Sequence, residues 1–231
     1  MTQAVRKDRV GTNLTEGPIM SSLLLFAIPI VLTNLVQQLY SMVDLIVIGQ
    51  YVGNIGTVGV NTGGEMADLV TPVAMGFSTA GQIYIAQLFG AKADRKIKQT
   101  VGTLLSFMMM ISVAVVSVAF YFHRTILELL NCPPEAMSQA ANYMIITALG
   151  YPFIFGYNAV CGILRGMGES KRPLYFILVA ATVNIVLDIL LVGPLNMGAA
   201  GAAWATISAQ AISFIISVVF LRRRDFVFEL H

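Results

Sequence analysis

The chain has 231 residues, 57% of them hydrophobic and only 11% charged, with a mean hydropathy of +0.78. Soluble domains carry about 25% charged residues, so the composition excludes a water-covered globule and leaves an all-α membrane bundle. The net charge of +2 says little about partners, and no nucleic-acid partner is expected.

The first eighteen residues are polar, so no cleavable leader is expected and the first membrane helix serves as the insertion signal. Crossing ~30 Å of hydrocarbon takes ~20 mostly apolar residues, and six segments qualify. The expected organisation is a cytoplasmic segment over 1–19, a six-helix lobe over 20–221 and a cytoplasmic linker beginning at 222–231.

The first span, Met20 to Gly49, carries Pro29 and a run of polar residues: Thr33, Asn34, Gln37, Gln38, Tyr40, Ser41 and Asp44. Gln37, Tyr40, Ser41 and Asp44 follow i, i+3, i+4, i+7 spacing, so they share one helix face. Such a stripe must face protein or water rather than lipid. Proline inside a helix frees a carbonyl and often kinks it, which makes the helix bearing Asp44 a candidate moving part. The next stretch, Gln50 to Met66, is rich in Gly and Asn, carries Glu65 and is expected to be an outer loop.

The second span runs from Ala67 to Phe89 and the third from Val101 to Phe122. The connection from His123 to Ala141 holds Cys132-Pro133-Pro134 and has room for a short interfacial helix. The fourth span, Tyr143 to Leu164, contains Gly162 at its end. With Gly166, this makes a small-xxx-small pair that allows close helix approach. The fifth span, Leu174 to Val192, carries Asn184 and Asp188 and ends in a tight Gly-Pro turn over Gly193 to Gly198. The sixth runs from Ala199 to Leu221. Trp204 and Tyr51 fall where aromatic anchors of the outer interface are expected.

The basic residues support this division. Arg6, Lys7 and Arg9 precede the first span. Lys92, Arg95, Lys96 and Lys98 follow the second. Arg165, Lys171 and Arg172 follow the fourth, and Arg222, Arg223 and Arg224 follow the sixth. Only Arg124 falls elsewhere. Cytoplasmic loops are enriched in Lys and Arg, so both termini are expected in the cytoplasm.

A carboxylate in the bilayer interior costs ~2.5 kcal/mol or more, and two lie within the expected spans, Asp44 and Asp188. The other ten acids are assigned to loops or helix ends. Each of the two lies five residues before the outer end of an outward-running helix, ~8 Å below it at 1.5 Å per residue. Acids at equal depth can share one cavity, take up and release a proton, or hold Na+, a hard cation that prefers oxygen. Asn184 lies one turn before Asp188 on the same face, and Thr206 on the sixth span reaches a similar depth. Cys132 and Cys161 do not make a disulfide framework. His123 and His231 are too few and too far apart for a metal site. No nucleophile–base motif, phosphate loop or metal-ligand spacing is present, so neither an enzyme nor a cofactor is expected.

Four segments together carry a family resemblance. Gln38-Leu39-Tyr40-Ser41-Met42-Val43-Asp44-Leu45-Ile46-Val47-Ile48-Gly49 resembles the first-helix motif of the multidrug and toxic compound extrusion (MATE) transporters. Ala86-Gln87-Leu88-Phe89-Gly90-Ala91-Lys92 resembles the family's segment after the second helix. Leu164 to Pro173 is similar to its loop between helices four and five, and Gly198 to Thr206 to its sixth-helix start. Family members have twelve helices in two six-helix lobes, and this chain corresponds to the amino-terminal lobe.

The resemblance implies a multi-pass protein of the cell (inner) membrane, an antiporter driven by H+ or Na+ that expels small organic cations by alternating access. It implies that Asp44, Asn184, Asp188 and Thr206 form the amino-lobe cation site, with Asn158 as a further polar position. Gln37, Pro29, Tyr40 and Tyr143 match positions of the substrate cavity or of first-helix bending. The paired Asn184 and Asp188 look more like the DNA-damage-inducible-type branch of prokaryotic members than the sodium-driven branch. Besides membrane lipids and substrate, the expected partner is the missing second lobe or a second copy of the chain. The charged tail ending at His231 reads as an interrupted linker.

Three other readings are weighed. A lipid-linked oligosaccharide flippase of the same superfamily would share the fold but favour a wide cationic cleft. An intramembrane aspartyl protease would carry Gly-x-Gly-Asp, whereas Asp188 follows Ile185-Val186-Leu187. A non-transporting half-protein would bind cations and move nothing.

Overall fold

The computed structural model describes residues 18–223. The expectations for the amino-terminal segment, with Arg6, Lys7 and Arg9, and for the linker from Arg224 to His231 lie outside the described residues, as does the Arg223 side chain. The described chain is helical almost throughout: α1 (Ile19–Tyr51), α2 (Gly53–Gly90), α3 (Asp94–Leu129), α4 (Met137–Leu149), α5 (Tyr151–Gly166), α6 (Lys171–Val192) and α7 (Gly198–Arg223). Five of these are long and apolar enough to cross a membrane alone. The α4 and α5 helices meet at a 45° bend and together make a sixth span. The chain is a multi-pass membrane protein built as one six-span lobe.

Three expectations are corrected. The stretch Gln50 to Met66 is not a loop, because α1 runs to Tyr51 and α2 begins at Gly53. Its glycines serve packing rather than flexibility. A Cβ on Gly63 would lie 2.7 Å from the Ala140 carbonyl oxygen of α4, and one on Gly59 would lie 2.8 Å from the Gln139 Cβ. Backbone contact of this kind is what small residues provide between membrane helices. The connection from His123 to Ala141 holds no separate helix: α3 continues to Leu129 and α4 starts at Met137, leaving a short turn. The fourth span is broken rather than continuous. Pro152 cannot donate to the carbonyl four residues back, and its ring disrupts the ladder there. The chain bends at Gly150, whose N–H bonds to Thr147 O at 2.8 Å instead.

The main core lies where α2, α3 and α5 meet, around Ile85, Val101, Met108, Phe155 and Leu164. Gly162 and Gly166 seat α5 directly on α2, within 2.7 Å of the Ser78 and Gln82 carbonyl oxygens for an added Cβ. A second layer is formed by α1, α6 and α7. The turn from α6 to α7 is tight, and Gly198 enters α7 at φ +58°, a left-handed conformation that glycine adopts freely. Ala199, Ala202, Ala203, Ala205 and Ala209 leave α7 nearly flat along its buried face, so α6 can pack closely on it. Cys132 and Cys161 are buried free thiols.

Candidate cation site

The polar residues of the second layer converge between two apolar clusters. One contains Val47, Ile48, Val192, Ala199, Ala202 and Ala203, and the other Ile177, Ala180 and Ala209. On α6, Ile177, Ala180, Asn184, Asp188 and Val192 recur at three- and four-residue steps and are all buried. One face of α6 therefore presents both apolar clusters with Asn184 and Asp188 between them. Asp44 approaches from α1 and Thr206 from α7.

Asp188 is fully buried and Asp44 is 8% exposed, and the two carboxyl groups adjoin. Thr206 Oγ1 donates to Asp44 Oδ2 at 3.4 Å and accepts from Asn184 Nδ2 at 3.5 Å. Both bonds are at the long end for such pairs, so the cluster is loosely knit. Asp44 Oδ1, both Asp188 carboxylate oxygens and Asn184 Oδ1 are buried with no donor in reach. Buried acceptors without donors are costly, and adjoining buried carboxylates without a counter-charge more so. A shared proton removes the deficit. So does a small hard cation, for which this all-oxygen donor set is well matched.

The remaining expected residues are distributed as follows. Tyr143 is buried, packs against Gly63 and Gly64 of α2, and lies in the electrostatic field of both Asp44 and Asp188. Tyr40 Oη accepts from Gln210 Nε2 of α7 at 3.3 Å. Gln37 is half-buried, and its backbone carbonyl accepts from Ser41 Oγ at 3.1 Å. Asn158 is engaged on α5, where its amide donates to Ile154 O at 2.8 Å and its backbone carbonyl accepts from Ser78 Oγ. Pro29 is buried within an unbroken α1, and Thr33 Oγ1 donates to its carbonyl at 2.8 Å.

Sequence reasoning missed Gln210, although it lies one helical turn past Thr206 on the same face. It also assigned Glu65 and Asp68 to a loop and a helix end, whereas both lie well inside α2. A recess of about 410 Å³ lies away from the acids, lined by Leu25, Phe26, Tyr175 and the α5–α6 turn. The unsatisfied buried acceptors, not this recess, mark the chemistry.

Thr206→Val removes only the hydroxyl that bridges Asn184 and Asp44. Na+ affinity is expected to fall about two- to tenfold, read by isothermal titration in lipid nanodiscs. Unchanged affinity would remove Thr206 from the site.

A family model described as MatE matches residues 29–190. The probable multidrug resistance protein YoeA of Bacillus subtilis (strain 168) is 30% identical over 214 residues, covering 91% of this chain and 46% of that protein. The DNA damage-inducible protein F of Escherichia coli (strain K12) is 24% identical over 197 residues, covering 85% of this chain and 43% of its own length. A solved structure described as MATE in the bent conformation superposes with a TM-score of 0.88 at 23% identity, over 97% of this chain and 50% of that one. That likeness shows the fold. The chain spans about half the length of the curated relatives it matches.

Proposed function

Because this chain belongs to the MatE family, we propose that it is one lobe of a secondary transporter that expels organic cations in exchange for H+ or Na+. The observation that carries the reading is the set of buried carboxylate oxygens of Asp44 and Asp188 with no donor. The two acids bind the coupling ion, and Asn184 and Thr206 complete the oxygen shell. Protonation, or Na+ entry, changes the charge held between α1 and α6. This is the local electrostatic change that biases a two-state element in a switching protein. Tyr40 and Tyr143 flank the ion, and Pro29 weakens the α1 backbone by leaving the Leu25 carbonyl without its helical donor. Both termini lie in the cytoplasm, the membrane is the inner cell membrane, and a second lobe or second copy forms the opposite wall of the substrate path. The chain carries no cofactor beyond the coupling ion and performs transport rather than catalysis.

The test is a titration of the purified chain in lipid nanodiscs, with Na+ added across a range of pH. The reading expects H+ and Na+ to compete, so that Na+ addition releases protons. Binding of neither ion would sink it.

A further inference from the structure

The turn from α5 to α6 carries a recess that the coupling site does not use. Its volume is about 410 Å³, and its walls include Leu25 and Phe26 of α1, Ser170 at the turn and Tyr175 of α6. The α6 helix has 22 residues. At ~1.5 Å per residue it matches the ~30 Å thickness of a hydrocarbon core, so its first residue, Lys171, lies at the membrane edge. Leu25 lies at the same level, because Asp44 and Asp188 adjoin, α1 and α6 run in the same direction, and Leu25 is as far before Asp44 as Glu169 is before Asp188. The recess therefore opens where lipid headgroups meet acyl chains.

Its polar wall is rich in donors without acceptors. Ser170 is the N-cap of α6, yet its side chain makes no capping bond. It is 5% exposed, lines the recess and has no hydrogen-bond partner among the described residues. The backbone N–H groups of Ser170, Lys171 and Arg172 likewise meet no acceptor among the described residues. Unbonded N–H groups at a helix start carry partial positive charge.

Two full positive charges lie beside them. Lys171 is exposed and Arg172 half-buried, and both line the recess. Neither meets a carboxylate among the described residues. Arg172 instead lies over the Phe220 ring, 5.0 Å from its centre. Stacking of this kind leaves the planar N–H fork of arginine open at its edge. Glu169 is the acid of this wall, so two cations and a helix start outweigh one carboxylate. Beside this polar wall, Leu25 and Tyr175 are 55% and 59% exposed.

We propose that this recess binds an anionic phospholipid. Its phosphodiester sits against the Ser170 hydroxyl, the open N–H groups and the Lys171 and Arg172 side chains, and a headgroup hydroxyl donates to Glu169. An acyl chain covers Leu25, Phe26 and Tyr175. Clustered N–H donors at a helix N-terminus favour a phosphate, and lysine and arginine bond it with charge assistance. Free phosphate offers the same oxygens but leaves the apolar wall bare, which favours the lipid as the source. In the orientation proposed above, the lipid belongs to the cytoplasmic leaflet, where basic pockets between helices meet anionic headgroups. The lipid touches neither Asp44 nor Asp188, so the site stands whether or not those acids bind the coupling ion.

The test places the whole chain in nanodiscs of phosphatidylcholine, with or without phosphatidylglycerol. Lysines are acylated with an N-hydroxysuccinimide ester and read by mass spectrometry. On the unmodified chain, phosphatidylglycerol should slow labelling of Lys171 at least about fivefold, while Lys96 and Lys98, exposed at the start of α3, change little. Ser170→Ala combined with Lys171→Gln should weaken retention of phosphatidylglycerol in native mass spectrometry about tenfold or more, and Lys171→Arg should keep it. Equal protection of Lys171, Lys96 and Lys98, or wild-type retention in the double variant, reveals diffuse attraction to an anionic surface and overturns the inference. Protection of Lys171 by inorganic phosphate in pure phosphatidylcholine discs, as strong as that given by phosphatidylglycerol, overturns the lipid assignment.

Discussion

Replacing Asp188 with Asn abolishes Na+-driven proton release and leaves the fold intact. Asp188 is fully buried, and neither of its oxygens has a donor. Asparagine has the same shape, so packing against α1 and α7 is preserved. Its amide N–H can donate to Asp44 Oδ1, which otherwise has no partner. Satisfying a buried acceptor is worth about 1–3 kcal/mol, so the variant should melt at or above the wild-type temperature. What it loses is the second ionisable group. Removing a positioned proton-transfer group typically costs about 100-fold or more, and proton release should fall by that scale. A pH-sensitive dye reads the release and Trp204 fluorescence reads the melting. Wild-type release in this variant would show that the coupling ion does not bind between the two acids.

Gly162→Leu is expected to prevent the lobe from assembling. An added Cβ at this position would already lie 2.7 Å from the Ser78 backbone oxygen and clash with the Ser78 hydroxyl. Neither α2 nor α5 can rotate away, because Gly166 makes the same kind of contact with Gln82 one turn on. Overpacking of a tight interface costs about 1–3 kcal/mol and occasionally more, and a leucine here forces apart two backbones rather than two side chains. Little folded protein should survive size-exclusion chromatography in detergent. Gly102→Ala on α3 is the control. Its Cβ meets nothing within 4 Å, and alanine favours a helix by about 0.8–1.0 kcal/mol over glycine. Equal recovery of the two variants would mean that α2 and α5 do not pack as described.

The six spans were legible because their apolar runs exceed what any soluble helix needs, and because thirteen basic residues cluster at alternate connections. Counting residues from the helix ends brought Asp44 and Asp188 to one depth, and the structure brings them together. The first half of α2 was not legible. Gly53, Gly56, Gly59, Gly63 and Gly64, interleaved with Asn54 and Asn61, have the composition of a loop. The helix is selected by tertiary packing of Gly56, Gly59, Gly63 and Gly64 on α4 and not by local propensity. That misreading placed Glu65 in a loop and Asp68 at the very end of a span, whereas both lie well inside α2. The Gly150 break was hidden for a different reason: Tyr143 to Leu164 is apolar enough to count as one span despite Thr147, Gly150 and Asn158, and hydropathy gives no sign of a bend. Gln210 was overlooked because its partner, Tyr40, lies 170 residues away in the chain.

The composition of α2 also bears on biogenesis. A helix with Asn54, Asn61, Glu65 and Asp68 along one side partitions poorly from the translocon into lipid, since an acid near the helix centre opposes insertion by about 2.5–3.5 kcal/mol. The α4 surface that receives its glycines is synthesised only after α3. Insertion of α2 together with α1, the strongly apolar helix immediately before it, is therefore the expected route. The polar stripe along α2 is therefore expected to settle late, once α4 supplies the surface on which its glycines pack.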